Sequence, residues 1–199
     1  MDCKHVGKVV MLLGCMYSGK TDKLISYAEE AKTREEIVLA MKPRVDTRWG
    51  EERITSRTGR SISAITFSDA IDMQARVFKH LDSIPPSSRR PVNIVIDEAQ
   101  FVPGISGAIR LFARMGFHVY IAGLSGDRDC KPWTSISDLI PICDSIEFLH
   151  ARCKFCGGEA SFTLMQRIAL EKQKAGQIEI DDGKNYAPAC RKCWEEKNN

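Results

Sequence analysis

The chain has 199 residues, 43% of them hydrophobic and 28% charged, enough for one substantial domain plus a small module and for a core that forms unaided. Its 29 basic and 26 acidic residues are scattered, and a net charge of +3 is too weak a bias to argue for nucleic acid or a membrane surface as partner. No segment approaches membrane-spanning length, and the first apolar stretch ends at Gly14 inside a motif of its own, so no signal peptide is expected. A cytoplasmic, reducing setting follows, in which the eight cysteines are thiols or metal ligands before they are disulfides.

Val9 to Leu13 form a continuous apolar run, as expected of a strand buried on both faces. The next eight residues, Gly14-Cys15-Met16-Tyr17-Ser18-Gly19-Lys20-Thr21, complete a G-x-x-x-x-G-K-[ST] pattern, and Leu24, Ala28 and Ala31 then mark the apolar face of a helix. Further strands are expected at Ile37 to Met41, Val92 to Ile96, Phe117 to Ala122 and, more weakly, Ile146 to Phe148. Between them fall two helical patterns, one on Ala70, Met73, Val77, Phe78 and Leu81, the other on Ile105, Ala108, Ile109 and Phe112. Pro43 to Phe67 interrupts this rhythm with charge and short β-like pieces near Ile54 and at Ile62 to Phe67, which reads as a β-hairpin or a mobile flap; Ser83 to Pro91 reads as a surface loop. Alternating strands and helices imply an α/β fold with a mostly parallel sheet covered on both faces. From about Ala151 cysteines, glycines and charge take over, so residues 1–150 are assigned to an ATP-binding domain and 151–199 to a second module.

Strand, loop and helix in that order let backbone N–H groups and the helix dipole converge on a polyphosphate. Lys20 would bring charge to the transferred phosphate and Thr21 a hydroxyl to Mg²⁺. The run Val92 to Ile96 ends in Asp97-Glu98-Ala99-Gln100-Phe101. An acid at such a strand tip binds Mg²⁺ beside the loop threonine, so Asp97 joins Thr21 as a Mg²⁺ residue, and Asp97 and Gln100 join Gly14 to Thr21 as the ATP-binding set. Alternation of strand faces would turn Glu98 toward the phosphate acceptor as a catalytic base. ATPase motors carry the same Asp-Glu pair, so the pair alone leaves kinase and hydrolase open.

Cys153-Lys154-Phe155-Cys156 and Cys190-Arg191-Lys192-Cys193 are two C-x-x-C pairs. Two such knuckles supply a tetrahedron of thiolates suited to Zn²⁺, and a closed Cys₄ shell makes the metal structural. Cys3, Cys15, Cys130 and Cys143 lack this spacing and are taken as packing or surface thiols. The metal would clamp Gly157 to Ala189, a polar segment long enough to close over a ligand; the alternative use is a zinc ribbon for nucleic acid, supported by Lys172, Lys174, Lys184, Arg191 and Lys192.

The loop near the N-terminus, Asp97 to Phe101 at a middle strand, and the paired C-x-x-C knuckles together resemble the type II thymidine kinases over roughly Gly7 to Trp194. Asp46-Thr47-Arg48, Gly123-Leu124, Lys131-Pro132, Ala160 to Thr163 and Tyr186 add to the resemblance. It implies a RecA-like P-loop NTPase core with a small zinc-binding lasso domain, a cytosolic homotetramer, and transfer of the γ-phosphate of ATP to the 5′-hydroxyl of thymidine or deoxyuridine. By position, Glu98 matches the base, and Met16, Phe101, Leu124, Trp133, Thr163 and Tyr186 match the nucleoside pocket. Gln177-Ile178-Glu179-Ile180-Asp181 match the lasso strand whose backbone meets the nucleoside base.

Departures from the family pattern fall on substrate range. Asp181-Asp182 stand where glycines are usual, Arg128 where an aromatic is common, Trp133 in place of phenylalanine, and Thr58 near where many members carry an acid that helps with Mg²⁺. Beside thymidine kinase, the sequence leaves a deoxynucleoside kinase of shifted specificity and a zinc-ribbon, nucleic-acid-dependent ATPase as alternatives.

Overall fold

The computed structural model describes residues 6–47, 50, 52–88, 90–166 and 185–198. The first strand of its main sheet, β1 (Val9–Gly14), is buried at all six positions as its unbroken apolar sequence requires. With it lie β2 (Ile37–Pro43), β5 (Ile65–Phe67), β6 (Val92–Ile96), β7 (His118–Leu124) and β8 (Ser145–Leu149) in the order β5-β2-β6-β7-β1-β8, so β1 sits between β7 and the edge strand β8. Each of these pairings is parallel, with Val9 opposite Val119 and Leu39 opposite Ile94.

Parallel strands need crossovers, and three helices supply them: α1 (Lys20–Thr33), α2 (Ala70–Asp82) and α3 (Ile105–Arg114). The two-residue period of the strands divides their side chains between two cores. Leu12, Ala40, Val95 and Ala122 meet Leu24, Ile25 and Ala28 of α1. Met11, Leu13, Ile94 and Ile121 meet Met73 and Val77 of α2 and Ile109 and Phe112 of α3 on the other face. Asp69 caps α2, accepting from the Ile71 and Asp72 N–H groups at 2.9 Å each.

The interval after β2 holds an antiparallel hairpin of β3 (Arg53–Thr55) and β4 (Ser61–Ser63), the hairpin alternative of the sequence reading. The expected single piece Ile62 to Phe67 is two elements. Ile62 packs on the α1 face, whereas β5 joins the main sheet beside β2 and buries Phe67 on the opposite face. The 83–91 loop carries a short 3-10 turn at Pro86–Ser88, and α4 (Thr134–Ser137) follows β7. Past β8 the chain builds β9 (Ala151–Arg152), β10 (Glu159–Ala160), β11 (Phe162–Met165), β12 (Tyr186–Ala189) and α5 (Arg191–Asn198). β11 and β12 pair antiparallel, with Met165 opposite Tyr186, and pack with Cys153, Cys193 and Ala160 in a separate small core.

Candidate active site

β1 ends where the chain must turn sharply. A Cβ on Gly14 would lie 2.2 Å from the Leu149 carbonyl oxygen and 2.5 Å from Ser18 Oγ, so the turn admits no side chain. Gly19, at φ 80, starts α1 in left-handed backbone with no side chain capping the helix. The helix therefore offers its N–H groups and positive dipole end to an anion. Lys20 Nζ folds back on the loop, donating to the Cys15 carbonyl at 2.7 Å, the Gly14 carbonyl at 3.2 Å and Ser18 Oγ at 3.3 Å.

Thr21 Oγ1 donates to Asp97 Oδ2 at 3.0 Å, which sets side by side a hydroxyl and a buried carboxylate, two oxygen donors that would suit Mg²⁺. Glu98 diverges from Asp97 for a reason other than strand alternation. β6 stops at Ile96, and Glu98 has φ 55 and ψ 40, so the backbone itself swings into the left-handed region. Its N–H donates to Asp97 Oδ1 at 3.0 Å. Gln100 Nε2 donates to Glu98 Oε2, and Gln100 Oε1 accepts from the Leu124 N–H at 3.1 Å, so one buried amide orients the carboxylate and ties it to the end of β7.

A cavity of about 350 Å³ is lined by Lys20 and Thr21, by Asp97, Glu98 and Gln100, and by Phe101 and Leu124. Met16, Tyr17, Ser18 and Gly19 also line it, while Cys15 is buried at the loop's base. Burial raises the Cys15 thiol pKa. Trp133 stands behind Phe101, edge-on with ring centres 5.7 Å apart, and is not part of the cavity wall. Thr163 and Tyr186 approach the loop from outside. The Thr163 hydroxyl accepts from the Met16 N–H at 3.0 Å, and the Tyr186 carbonyl accepts from the Tyr17 hydroxyl at 3.3 Å. Gln177, Ile178, Glu179, Ile180 and Asp181, with Asp182, Arg48 and Cys3, lie outside the described residues.

Sequence reading missed Asp22 and Lys42. Asp22 lines the cavity from the first turn of α1, and Thr58, at the hairpin tip where the family often has an acid, donates to its Oδ1. Arg57 at the same tip covers the Tyr17 ring at 4.0 Å. Lys42 is 1% exposed, donates to the Gly50 carbonyl at 2.6 Å and lies 3.8 Å from Asp46 Oδ2 at the cavity edge. Its signal was a lysine inside the buried run Leu39-Ala40-Met41-Lys42.

The cysteine pairs converge as their spacing predicts. The four Sγ atoms of Cys153, Cys156, Cys190 and Cys193 lie within 4.8 Å of one another, and Cys156 and Cys190 are 3.6 Å apart. A Zn–S bond of about 2.3 Å gives tetrahedral S···S edges of about 3.8 Å, so the donor set fits Zn²⁺. Crowding splits the thiols. Burial opposes ionisation of Cys153, yet backbone N–H groups of Cys190, Cys156 and Phe155 bring it down to about 6, whereas burial and the neighbouring cysteines push Cys193 up to about 12. Four thiolates at this spacing need a dication to coexist.

A phosphate-binding loop, a strand-tip carboxylate on its threonine and a second carboxylate lining the same cavity define an enzyme of the P-loop nucleotide-dependent class. The thymidine kinase family matches residues 7–194. The chain is 33% identical to a thymidine kinase of Bacteroides thetaiotaomicron over 194 residues, covering 97% of this chain and 89% of the other. It is 32% identical to one of Bacteroides fragilis over 195 residues, covering 98% and 90%. Among solved structures it is similar to a DnaB-like replicative helicase at 11% identity, covering 87% of this chain and 52% of that one, with a TM-score of 0.47. An ATPase domain is similar at 12% identity, covering 94% of this chain and 78% of that one, also with a TM-score of 0.47. The chain belongs to the thymidine kinase family.

Proposed function

We propose that the chain transfers the γ-phosphate of ATP to the 5′-hydroxyl of thymidine or deoxyuridine, as a cytoplasmic enzyme of pyrimidine nucleotide salvage that assembles as a homotetramer. In this reading residues 1–150 hold ATP and residues 151–199 close over the nucleoside. The observation that carries it is that Glu98 lines one cavity together with Lys20 and Thr21 of the phosphate-binding loop and with Phe101 and Leu124. The aromatic ring in the lining suits a pyrimidine, and the loop suits a triphosphate.

Glu98 accepts the proton of the attacking 5′-hydroxyl, held in place by Gln100. Lys20, seated on the Cys15 carbonyl, brings its charge to the phosphate oxygens and stabilises the charge that develops on the moving phosphoryl group. Thr21 and Asp97 would hold Mg²⁺, which when bound neutralises charge on the phosphate oxygens. The Cys₄ cluster would hold Zn²⁺ as a structural clamp on the second module.

A deoxynucleoside kinase of shifted specificity remains as a second reading because Trp133, in place of the usual phenylalanine, buries an indole Nε1 with no hydrogen-bond partner among the described residues. ATP turnover measured with thymidine, deoxyuridine, deoxycytidine and single-stranded DNA separates the readings. Thymidine and deoxyuridine as the best acceptors support the proposal. Preference for deoxycytidine supports the second reading, and stimulation by DNA alone overturns both.

A further inference from the structure

Three successive residues of the phosphate-binding loop end on the cysteine-rich module. Cys15 Sγ donates to the Ala160 carbonyl at 3.4 Å, the Met16 N–H to Thr163 Oγ1 at 3.0 Å, and the Tyr17 hydroxyl to the Tyr186 carbonyl at 3.3 Å. The middle contact has a particular consequence, because the Cys15 carbonyl and the Met16 N–H are opposite ends of one planar peptide unit. The carbonyl end accepts from Lys20 Nζ at 2.7 Å, while the N–H end meets Thr163. One peptide plane is thus held between the loop lysine on one side and a hydroxyl of the other module on the opposite side. Thr163 is 6% exposed, so water does not readily replace its oxygen. Next to it Tyr17 has φ 70, a conformation that side chains avoid and that persists only where surrounding contacts impose it.

We infer that Thr163 is a positioning residue for the phosphate-binding loop: its hydroxyl fixes the Cys15–Met16 peptide that seats Lys20, and so sets ATP affinity before any nucleoside binds. This rests on reading the loop as the ATP site, and it gives Thr163 a task separate from lining a nucleoside pocket. β11 carries Thr163 against the cysteine cluster through Leu164, so the loop's geometry depends on the folded second module.

The test measures binding of a non-hydrolysable ATP analogue without nucleoside, together with hydrogen exchange at the Met16 amide. Thr163→Val keeps the shape and removes the acceptor; it should weaken the analogue about tenfold, the scale of one lost buried hydrogen bond, and speed exchange at Met16. Thr163→Ser restores the acceptor and should bind the analogue within about twofold of the native chain, the spread expected when the hydrogen bond is kept. Should the valine variant fail to fold, Thr163→Ala removes the same acceptor with less bulk and should also weaken the analogue and speed exchange at Met16. Native-like analogue affinity in a folded Thr163→Val, or in Thr163→Ala where the valine variant fails to fold, overturns the inference while leaving the kinase reading intact. Failure of the native chain to bind the analogue would instead remove the ATP reading itself.

Discussion

Glu98 occupies a backbone conformation that costs a side-chain-bearing residue about 1–2 kcal/mol, and it is kept there by contacts at both ends. Its carbonyl accepts from the Phe101 N–H at 3.1 Å, and its side chain is bonded by Gln100. Strain held this way at the carboxylate proposed as base would be a form of preorganisation. Gln100→Leu removes the amide and leaves the Leu124 N–H without its acceptor, an expected loss of about 1–3 kcal/mol in unfolding free energy. It should also lower kcat more than it changes either KM, since Glu98 loses its orientation; thermal melts and steady-state kinetics check both parts. The two carboxylates and the lysine were legible because motif spacing encodes them. The left-handed turn at Glu98 was not, because a glutamate carries no sign of positive φ. Asp22 was also hidden, since its role depends on Thr58, 36 residues away in sequence.

At the scale of elements, the apolar runs identified β1, β2, β6 and β7 because these strands pack between two helical layers, and the helical periods identified α1, α2 and α3 because each helix buries one face against the sheet. The stretch 61–67 defeated that logic. Ile62, Ile65 and Phe67 look like one alternating strand, yet the chain leaves the hairpin at Ala64, whose N–H donates to the Glu52 carbonyl at 2.8 Å, and enters the main sheet. Periodicity records which residues are buried and not in which sheet. The strands of the cysteine-rich module are two to four residues long, too short for any period to register. Lys42 in β2 yields a test of its own. Lys42→Met strips the buried cation from Asp46 and the donor from Gly50, and should cost on the order of 3 kcal/mol. Adding Asp46→Asn should recover part of that loss in urea denaturation; no recovery would mean that Lys42 serves Gly50 alone.

Across the whole molecule, two modules meet at the phosphate-binding loop, so a metal bound in one would be linked to nucleotide bound in the other. Elemental analysis should find about one zinc per chain, the stoichiometry of a single Cys₄ site. Cys190→Ser should release it, lower the melting temperature and weaken ATP binding as well as nucleoside binding. A zinc-free variant with native affinity for both would show that the cluster stabilises only itself. The central claim, transfer of the ATP γ-phosphate to thymidine with Glu98 as base, is tested most directly by single-turnover transfer of a radiolabelled γ-phosphate in the native chain and in Glu98→Gln. The native chain should yield labelled thymidine 5′-monophosphate, and Glu98→Gln should bind ATP normally while transferring about 10²–10⁴ times more slowly. Transfer at the native rate by Glu98→Gln, or no labelled thymidine product from the native chain, would contradict it.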